Sequence, residues 1–336
     1  MLLPTMPKKY VYALLAGIAL TVLLFGHYSY PPLPDSNTPQ QQQPAPPPPP
    51  PPPSSTHHSK PQPAPEPTPV SQPLSAQPFP SKIWQSWKDD AEDPTGRTVG
   101  FPHQWRLVNP EWRYERITDA NSDAYVRARF DANIWKVFVS LQDPILKADF
   151  LRYLILLEEG GVWADIDVYP HQPVSKWIPE QYRDSVNLVI GIENDHHKQP
   201  IWPGSPYSVQ LCQYTVLAKA GHPAIKILVD QVTGDLQRLI ESKQPGDGIT
   251  FEEVMATTGP FAFTKVMMDY FKNMTDVEHT GDELDSLEEP RLIGDVLVLP
   301  KDSFGWLPQD QTHEKGDEII LVEHLFIGSW RDGHPG

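Results

Sequence analysis

The hydrophobic pattern of the chain is clearest in one stretch near its middle, where the pattern changes period once. Apolar side chains recur at three- and four-residue steps over 146–157, which predicts a helix with one apolar face. The Gly-Gly pair at 160–161 supplies the left-handed backbone that ends a helix. Strict alternation over 162–169 then predicts a strand with Asp165 and Asp167 on one face. The sequence therefore predicts a helix, a turn and a strand that presents two carboxylates side by side.

Two neighbouring carboxylates repel each other unless a cation lies between them. A hard divalent ion such as Mg²⁺ or Mn²⁺ is the usual partner for oxygen ligands in proteins. A metal held by one or two carboxylates keeps open positions for substrate phosphates, which suits a nucleotide-diphosphate donor. The alternative is that Asp165 and Asp167 are solvated residues at the end of a strand. An Asp-x-Asp pair alone is a weak signal, because it occurs often by chance.

The rest of the pattern in the second part of the chain alternates between helices and strands. Apolar spacing predicts helices over 121–141, 209–217 and 223–239. Short apolar runs predict strands at 186–193 and 295–299. Alternation of this kind is typical of an α/β domain.

The first 80 residues have a different organisation. Residues 1–9 carry two lysines and are interpreted as a cytosolic tail, followed by an apolar run that predicts a transmembrane signal anchor at 10–30. A cleaved signal peptide is the alternative, but no small-residue cleavage site follows the run. Residues 31–80 contain 21 of the 40 prolines, a composition that forms an extended stem rather than a core. Residues 81–336 are then predicted to be one luminal domain.

The composition of the chain limits the classes of molecule that it can bind. The chain has 43 acidic and 27 basic residues and a net charge of −16, which makes it a poor partner for nucleic acid. Cys212 is the only cysteine, so no intrachain disulfide can form, and we interpret it as a small buried side chain. Asn273 begins an N-glycosylation triplet, which is used only if the domain is luminal.

Four separated motifs support a more specific interpretation. They are Lys82-Ile83-Trp84-Gln85-Ser86-Trp87, the helix and strand from Asp149 to Asp167, Thr258-Gly259-Pro260, and His324 with Gly328-Ser329-Trp330. In this order they resemble the DXD glycosyltransferases, and among them the sugar-transferase family that contains the fungal Och1-type mannosyltransferases. The resemblance implies an α/β fold of the GT-A type, a mostly parallel sheet flanked by helices, with the nucleotide at the carboxyl ends of the strands.

The resemblance also implies roles around the DXD motif. Asp149 and Arg152 would contact the donor sugar and phosphate, and Asp165 the ribose and sugar. Asp167 would bind the metal directly, with Asp165 and His324 as the other metal ligands. Arg152, Asp165 and Asp167 are accordingly the predicted catalytic residues. An exposed ion pair between Asp149 and Arg152, three residues apart on a helix, is the alternative.

Other residues are implied at the edges of the donor site. Trp84 would stack on the nucleotide base, and a core tryptophan is the alternative. Ser329 and Trp330 would lie near the diphosphate. Thr264 or Gly259 would bind donor or acceptor at a helix N-terminus, and structural capping is an equal explanation.

The implied activity is a metal-dependent, retaining transfer of mannose from GDP-mannose with Mn²⁺ (or Mg²⁺). The acceptor would be an N-linked oligosaccharide, extended through an α-1,6 linkage by a single-pass type II protein of the Golgi membrane. One alternative is a mannosyltransferase that acts on inositolphosphoceramide lipid. Another is a non-catalytic subunit in a complex with other Golgi mannosyltransferases. A phosphatase of the haloacid-dehalogenase type also has Asp-x-Asp at a strand end, but Tyr169 stands where that class has Thr or Val.

Overall fold

The computed structural model describes residues 73–90, 100–197, 200–201, 205–244, 246–305, 319–328 and 333–334. The predicted cytosolic tail, the signal anchor and most of the predicted stem lie outside these residues, and so do Ser329 and Trp330. Among the helices that are described, none is both long enough and apolar enough to cross a membrane.

The described residues form ten strands and eight α-helices, with three short 3₁₀ turns between them. The strands are β1 (Lys82–Trp87), β2 (Arg113–Thr118), β3 (Gly161–Ala164), β4 (Val168–Pro170), β5 (Leu188–Asp195), β6 (Val209–Leu211), β7 (Thr215–Ala218), β8 (Arg291–Ile293), β9 (Val296–Leu299) and β10 (Val322–His324). The helices are α1 (Phe101–Val108), α2 (Asp119–Arg129), α3 (Ala132–Ser140), α4 (Pro144–Glu158), α5 (Pro223–Ser242), α6 (Phe251–Thr257), α7 (Pro260–Thr275) and α8 (Lys301–Phe304).

Eight of the strands form one mixed sheet in the order β2-β1-β3-β7-β5-β9-β8, with β6 paired beside β5. Strands β1, β2 and β3 are parallel, β7 runs against both β3 and β5, and β5 is parallel to β9. Five strands therefore point the same way, and their carboxyl ends meet at one edge of the sheet. The prediction of a mixed, mostly parallel α/β sheet is confirmed.

The core lies on both faces of this sheet, because successive strand residues point to opposite sides. Trp84, Trp163 and Ile190 belong to one buried cluster, with side chains of α2 to α7. Ile83 and Val162 belong to the other cluster, with side chains of α1, α8 and β10. Helices and irregular segments thus cover the sheet on each side.

Helix α4 and the turn after it form as predicted. Asp143 caps the helix by accepting a hydrogen bond from the backbone N–H of Ile145 at 3.0 Å. The chain leaves the helix through Gly160 and Gly161, with φ of 61° and 86°. A Cβ on Gly161 would lie 2.5 Å from the carbonyl oxygen of Lys82, so this position requires glycine. The tight turn places β3 directly beside β1.

The single strand predicted over 162–169 is wrong. Strand β3 ends at Ala164, and the backbone N–H of Val168 donates to the carbonyl of Asp165 at 3.0 Å, which closes a turn. Strand β4 then pairs with β10 in a separate two-stranded sheet. Asp165 and Asp167 therefore lie in a turn rather than on one face of a strand.

Two predicted helices are also corrected. The run 209–217 forms strands β6 and β7, as short apolar runs can, while Cys212 between them is buried as expected. The pattern over 121–141 is divided into α2 and α3 because Asp131 begins a new helix. Its side chain accepts hydrogen bonds from Asn133 N and Ile134 N, both at 2.9 Å.

Candidate metal and donor site

Three predicted metal ligands come together just beyond the carboxyl end of β3. Ligand atoms of Asp165, Asp167 and His324 all lie within 4.8 Å of one another. The pairing of β10 with β4 brings His324 to this place, opposite Val168, although it is more than 150 residues further along the chain. Nε2 of His324 lies 3.0 Å from Oδ1 of Asp167. The backbone N–H of Ile327 donates to Oδ2 of Asp167 at 3.0 Å.

Arg152 connects the two parts of the motif. Its Nη1 donates to Asp149 Oδ1 at 2.8 Å, and its Nη2 donates to both oxygens of Asp165 at 2.7 and 2.9 Å. Burial opposes the charged guanidinium, but Asp165 and Asp149 hold the pKa of Arg152 above its ordinary value. The pair is 3% and 1% exposed, so the alternative of an exposed ion pair on a helix surface is wrong.

Asp149 is held from a second side by Thr258, a member of the Thr258-Gly259-Pro260 motif for which the sequence suggested no role of its own. The hydroxyl of Thr258 donates to Asp149 Oδ2 at 2.9 Å. Burial raises the pKa of Asp149 to about 6, while Arg152 and the Thr258 hydroxyl act in the opposite direction. Thr264, which the sequence suggested instead, accepts a hydrogen bond from Leu211 N at 3.0 Å and is buried, as expected for a structural residue.

The residues present fit a divalent cation with oxygen and nitrogen ligands. The site holds the carboxylates of Asp149, Asp165 and Asp167, and two of them bind the single guanidinium of Arg152, so negative charge remains to be neutralised. Burial would raise the pKa of Asp167, but the hydrogen bond and charge of His324 and the Ile327 N–H keep it low, so the carboxylate is ionised. Nε2 of His324, 3.0 Å from Asp167 Oδ1, adds a nitrogen donor to the carboxylate oxygens, a donor set that suits such a cation.

Aromatic rings fix the orientation of His324. Tyr214 and Phe326 lie against it, each with a ring centroid 4.1 Å from the imidazole. The Tyr214 hydroxyl donates to the carbonyl of Phe304 at 2.8 Å, which anchors that ring. Phe326 has a φ of 47°, an uncommon conformation for a non-glycine residue and one associated with functional segments. Sequence reasoning missed both rings, because neither stands in a recognisable motif.

A cleft opens beside this site. It is lined by Ile145, Asp149, Arg152, Asp165, Glu193, Gln213, Tyr214, Phe251, Val254, Met255, Gly259, Pro260, His324 and Phe326. A larger depression of about 500 Å³ lies under the loop 283–292, but it contains none of the predicted site residues. The smaller cleft is therefore the functional candidate, because the chemistry of the site faces it.

Trp84 does not line the cleft. It is 6% exposed and packs in the core, where its Nε1 donates to the carbonyl of Gly160 at 3.2 Å. Trp84 therefore has the position of a core tryptophan, which was the alternative to stacking on the nucleotide base. Asn273 is exposed in the last turn of α7, so its side chain can be reached from solvent.

Comparisons with known proteins agree with these motifs. The family described as "Glycosyltransferase sugar-binding region containing DXD motif" matches residues 97–184. An initiation-specific α-1,6-mannosyltransferase of Schizosaccharomyces pombe is 36% identical over 262 residues, covering 76% of this chain and 64% of that protein. A protein of the same description from Candida albicans is 30% identical over 290 residues, covering 76% of this chain and 73% of the relative. The chain thus spans less than two thirds of the length of the first of these relatives.

The chain is a member of the DXD-containing glycosyltransferase family. Within it, the chain belongs with the Och1-type proteins described as initiation-specific α-1,6-mannosyltransferases. Among solved structures, the PaToxG glycosyltransferase matches 60% of this chain and 75% of its own, at 15% identity and a TM-score of 0.38, a likeness too low to support an argument.

Proposed function

We propose that the chain is a metal-dependent, retaining α-1,6-mannosyltransferase that moves mannose from GDP-mannose to an N-linked oligosaccharide. The observation that carries this proposal is the cluster of Asp165, Asp167 and His324 beside the buried guanidinium of Arg152. The linkage comes from the descriptions of the relatives, and the acceptor from the family resemblance of the motifs. The arrangement of the site at the carboxyl ends of parallel strands supports the GT-A assignment.

Asp167 and His324 are the residues that would hold the metal. When bound, Mn²⁺ or Mg²⁺ would act as a Lewis acid and neutralise charge on the departing nucleoside diphosphate. Asp165 already accepts hydrogen bonds from Arg152 and from the indole N–H of Trp163, the latter at 2.8 Å. Its carboxylate is therefore held in a fixed orientation, and its negative charge is shared between Arg152 and the metal.

Arg152 has the position of a phosphate- or sugar-binding group. It is 3% exposed, and its Nε has no partner among the described residues while the rest of its guanidinium is engaged. A buried donor without a partner is costly, and an oxygen of the donor substrate would satisfy it. Asp149 and Thr258 hold the guanidinium at the angle that this contact requires.

We further propose that the protein is a type II membrane protein of the Golgi with a luminal catalytic domain. The support is the apolar run within 10–30, the proline-rich stem and the exposed Asn273. A luminal domain predicts a glycan on Asn273, seen as a mobility shift that endoglycosidase removes and Asn273→Gln abolishes. An unshifted wild-type protein would count against that topology.

The activity is tested with the full-length chain, Mn²⁺ and a panel of nucleotide sugars. Acceptors are an N-glycan core oligosaccharide and, in a separate arm, inositolphosphoceramide, with Asp167→Ala as the control. Transfer from GDP-mannose to the glycan, lost in the control, is the expected result. Transfer to the lipid alone would replace the proposed acceptor, and absence of turnover with every donor would contradict the enzyme assignment.

A further inference from the structure

A second acidic side chain faces the cleft from a different strand. Glu193 lies near the carboxyl end of β5, a strand that points the same way as β3. It therefore lies at the same edge of the sheet as Asp165, and both residues line the cleft together with His324. Glu193 belongs to no sequence motif, because a single glutamate at the end of a strand has no distinctive pattern around it.

The backbone at Glu193 is irregular, and this irregularity affects the direction of its side chain. Strand β5 pairs with β6 through Ile192 and Leu211 and then through Asn194 and Gln210. Two steps along β5 thus match one step along β6, so Glu193 is the extra residue of a β-bulge. Bulges of this kind are found beside active sites, where they redirect a side chain that regular pairing would place elsewhere.

The surroundings hold Glu193 in this position. Nε2 of Gln210, a buried side chain, donates to Glu193 Oε2 at 2.9 Å. Gly305 packs so closely on the bulge that a Cβ there would lie 2.7 Å from the carbonyl oxygen of Glu193. Gln210 and the close packing of Gly305 therefore fix the Glu193 carboxylate where it lines the cleft.

Tyr214 connects Glu193 with the metal site. Tyr214, Glu193 and Asp165 all line the same cleft. The same tyrosine ring packs on His324 with centroids 4.1 Å apart. Glu193 is thus a neighbour of the site without belonging to the cluster of three candidate ligands.

The negative charge of the Glu193 carboxylate determines which part of the two substrates it can bind. A carboxylate repels the diphosphate of a nucleotide sugar, and the cation site with Arg152 already provides for that group. A sugar hydroxyl is a neutral donor, and its hydrogen bond to an ionised carboxylate is stronger than one to a neutral acceptor. The geometry and the charge therefore favour a hydroxyl of the sugar acceptor.

We propose that Glu193 accepts a hydrogen bond from the reacting hydroxyl of the acceptor and holds it toward the donor sugar. This inference rests on the proposed function, and it adds a named acceptor contact to the donor and metal site described above. It predicts that Glu193 affects use of the acceptor and leaves binding of the nucleotide unchanged.

The test compares the full-length wild-type chain with Glu193→Gln and Glu193→Asp. Two quantities are measured: kcat/KM for the glycan acceptor at saturating GDP-mannose, and Mn²⁺-dependent GDP binding by calorimetry. Because a hydrogen bond to a charged group is lost, Glu193→Gln is expected to lower kcat/KM for the acceptor by about 10- to 100-fold, with GDP affinity within about twofold of wild type. Glu193→Asp keeps the charge and is expected to recover part of the activity.

Two matched variants accompany these. Asp195→Asn removes an acidic group two residues away that does not line the cleft, and it is expected to leave both quantities unchanged. Gln210→Ala removes the side chain that holds Glu193 and is expected to lower acceptor use severalfold, in the same direction as Glu193→Gln.

Each remaining outcome has a definite meaning. Acceptor kcat/KM at the wild-type level in Glu193→Gln, or an equal loss of GDP binding, would overturn the inference and leave the proposed function standing. Azide that restores turnover of GDP-mannose by Glu193→Ala and yields mannosyl azide would overturn it as well, since Glu193 would then be a nucleophile. Failure of the wild-type chain to transfer mannose to any glycan would overturn the proposed function and the inference together.

Discussion

Two histidine–aspartate pairs lie at opposite ends of the parallel strands, and their surroundings differ. Asp167 follows the carboxyl end of β3, and its Oδ1 lies 3.0 Å from Nε2 of His324. Asp295 precedes the amino end of β9, and its Oδ2 lies 3.3 Å from Nε2 of His222. Composition and distance are alike, so these alone do not separate a ligand site from a structural pair.

The pair at the amino end is held by other protein groups. His222 is 0% exposed, and its Nδ1 accepts a hydrogen bond from Ala224 N at 3.2 Å, which caps α5. Asp295 also accepts from Asn187 Nδ2 at 2.9 Å and from the Tyr270 hydroxyl at 3.1 Å. Partners of this kind are typical of a structural element.

The histidine of the pair at the carboxyl end faces the cleft. The imidazole of His324 lines the cleft with Arg152 and Asp165, whereas neither His222 nor Asp295 lines it. What distinguishes the two pairs is thus the access of the histidine to the cleft. We expect substitutions at the carboxyl end to change catalysis and substitutions at the amino end to change stability.

The largest expected effect is that of His324→Ala. Removal of a candidate metal ligand should lower kcat/KM with GDP-mannose by about 100-fold or more. The free energy of unfolding should change little, because this imidazole is only partly buried and belongs to neither core cluster. Turnover assays and denaturant titrations measure the two quantities, and a stable variant with wild-type turnover would contradict the assignment.

His222→Ala should show the opposite pattern. It removes a helix cap, leaves a cavity and deprives half-buried Asp295 of a partner, so the free energy of unfolding should fall by about 3 kcal/mol. Turnover per folded molecule should stay near wild type. Denaturant titration measures the stability, and a specific loss of turnover in the folded variant would break the comparison.

Acid should weaken the amino-end pair. Burial would raise the pKa of Asp295, but hydrogen bonds from His222, Asn187 and Tyr270 lower it from 3.8 to about 2. Because the folded pKa is the lower one, the stabilisation is present above about pH 4 and is lost as the pH falls toward 2. It amounts to about 2 kcal/mol.

The comparison of wild type with Asp295→Asn isolates this contribution. Their difference in unfolding free energy is expected to reach its full value by about pH 5 and to vanish only below about pH 2. A difference that stays constant over this range would show that the Asp295 carboxylate is not responsible.

Thr258→Val is expected to have the smallest effect. The variant keeps the shape of the side chain but removes the hydrogen bond to Asp149, so Arg152 is held less firmly and kcat/KM should fall about fivefold. Thr264→Val is the matched control, since Thr264 bonds to Leu211 N and touches no member of the site. Equal kinetic effects in both variants would contradict the role given to Thr258.

The elements that are determined by residues close together in the sequence were predicted correctly. Helix α4 and the glycine turn after it follow from apolar spacing, the Asp143 cap and the need for glycine at Gly161. The position of His324 beside the motif was inferred from the family resemblance, and no local pattern would have predicted it. Membership of the family likewise rested on motifs whose order is preserved over most of the chain.

The predictions were wrong where the local structure depends on pairing between strands that are far apart in the sequence. The alternation over 162–169 gave no indication that the carbonyl of Asp165 closes a turn or that β4 pairs with a strand more than 150 residues away. The bulge at Glu193 is visible only from the register of β5 against β6. Trp84 was ambiguous for the same reason, since a strand residue that faces the core and one that faces a ligand have the same pattern.

The most direct test of the account is calorimetry of GDP binding to the full-length chain, with and without Mn²⁺, for wild type and Asp167→Asn. We predict that wild type binds GDP only with Mn²⁺ and that Asp167→Asn weakens this binding by about tenfold or more. Equal affinity with and without Mn²⁺, or an Asp167→Asn protein that binds as wild type does, would contradict the claim that this cluster holds the metal and the donor.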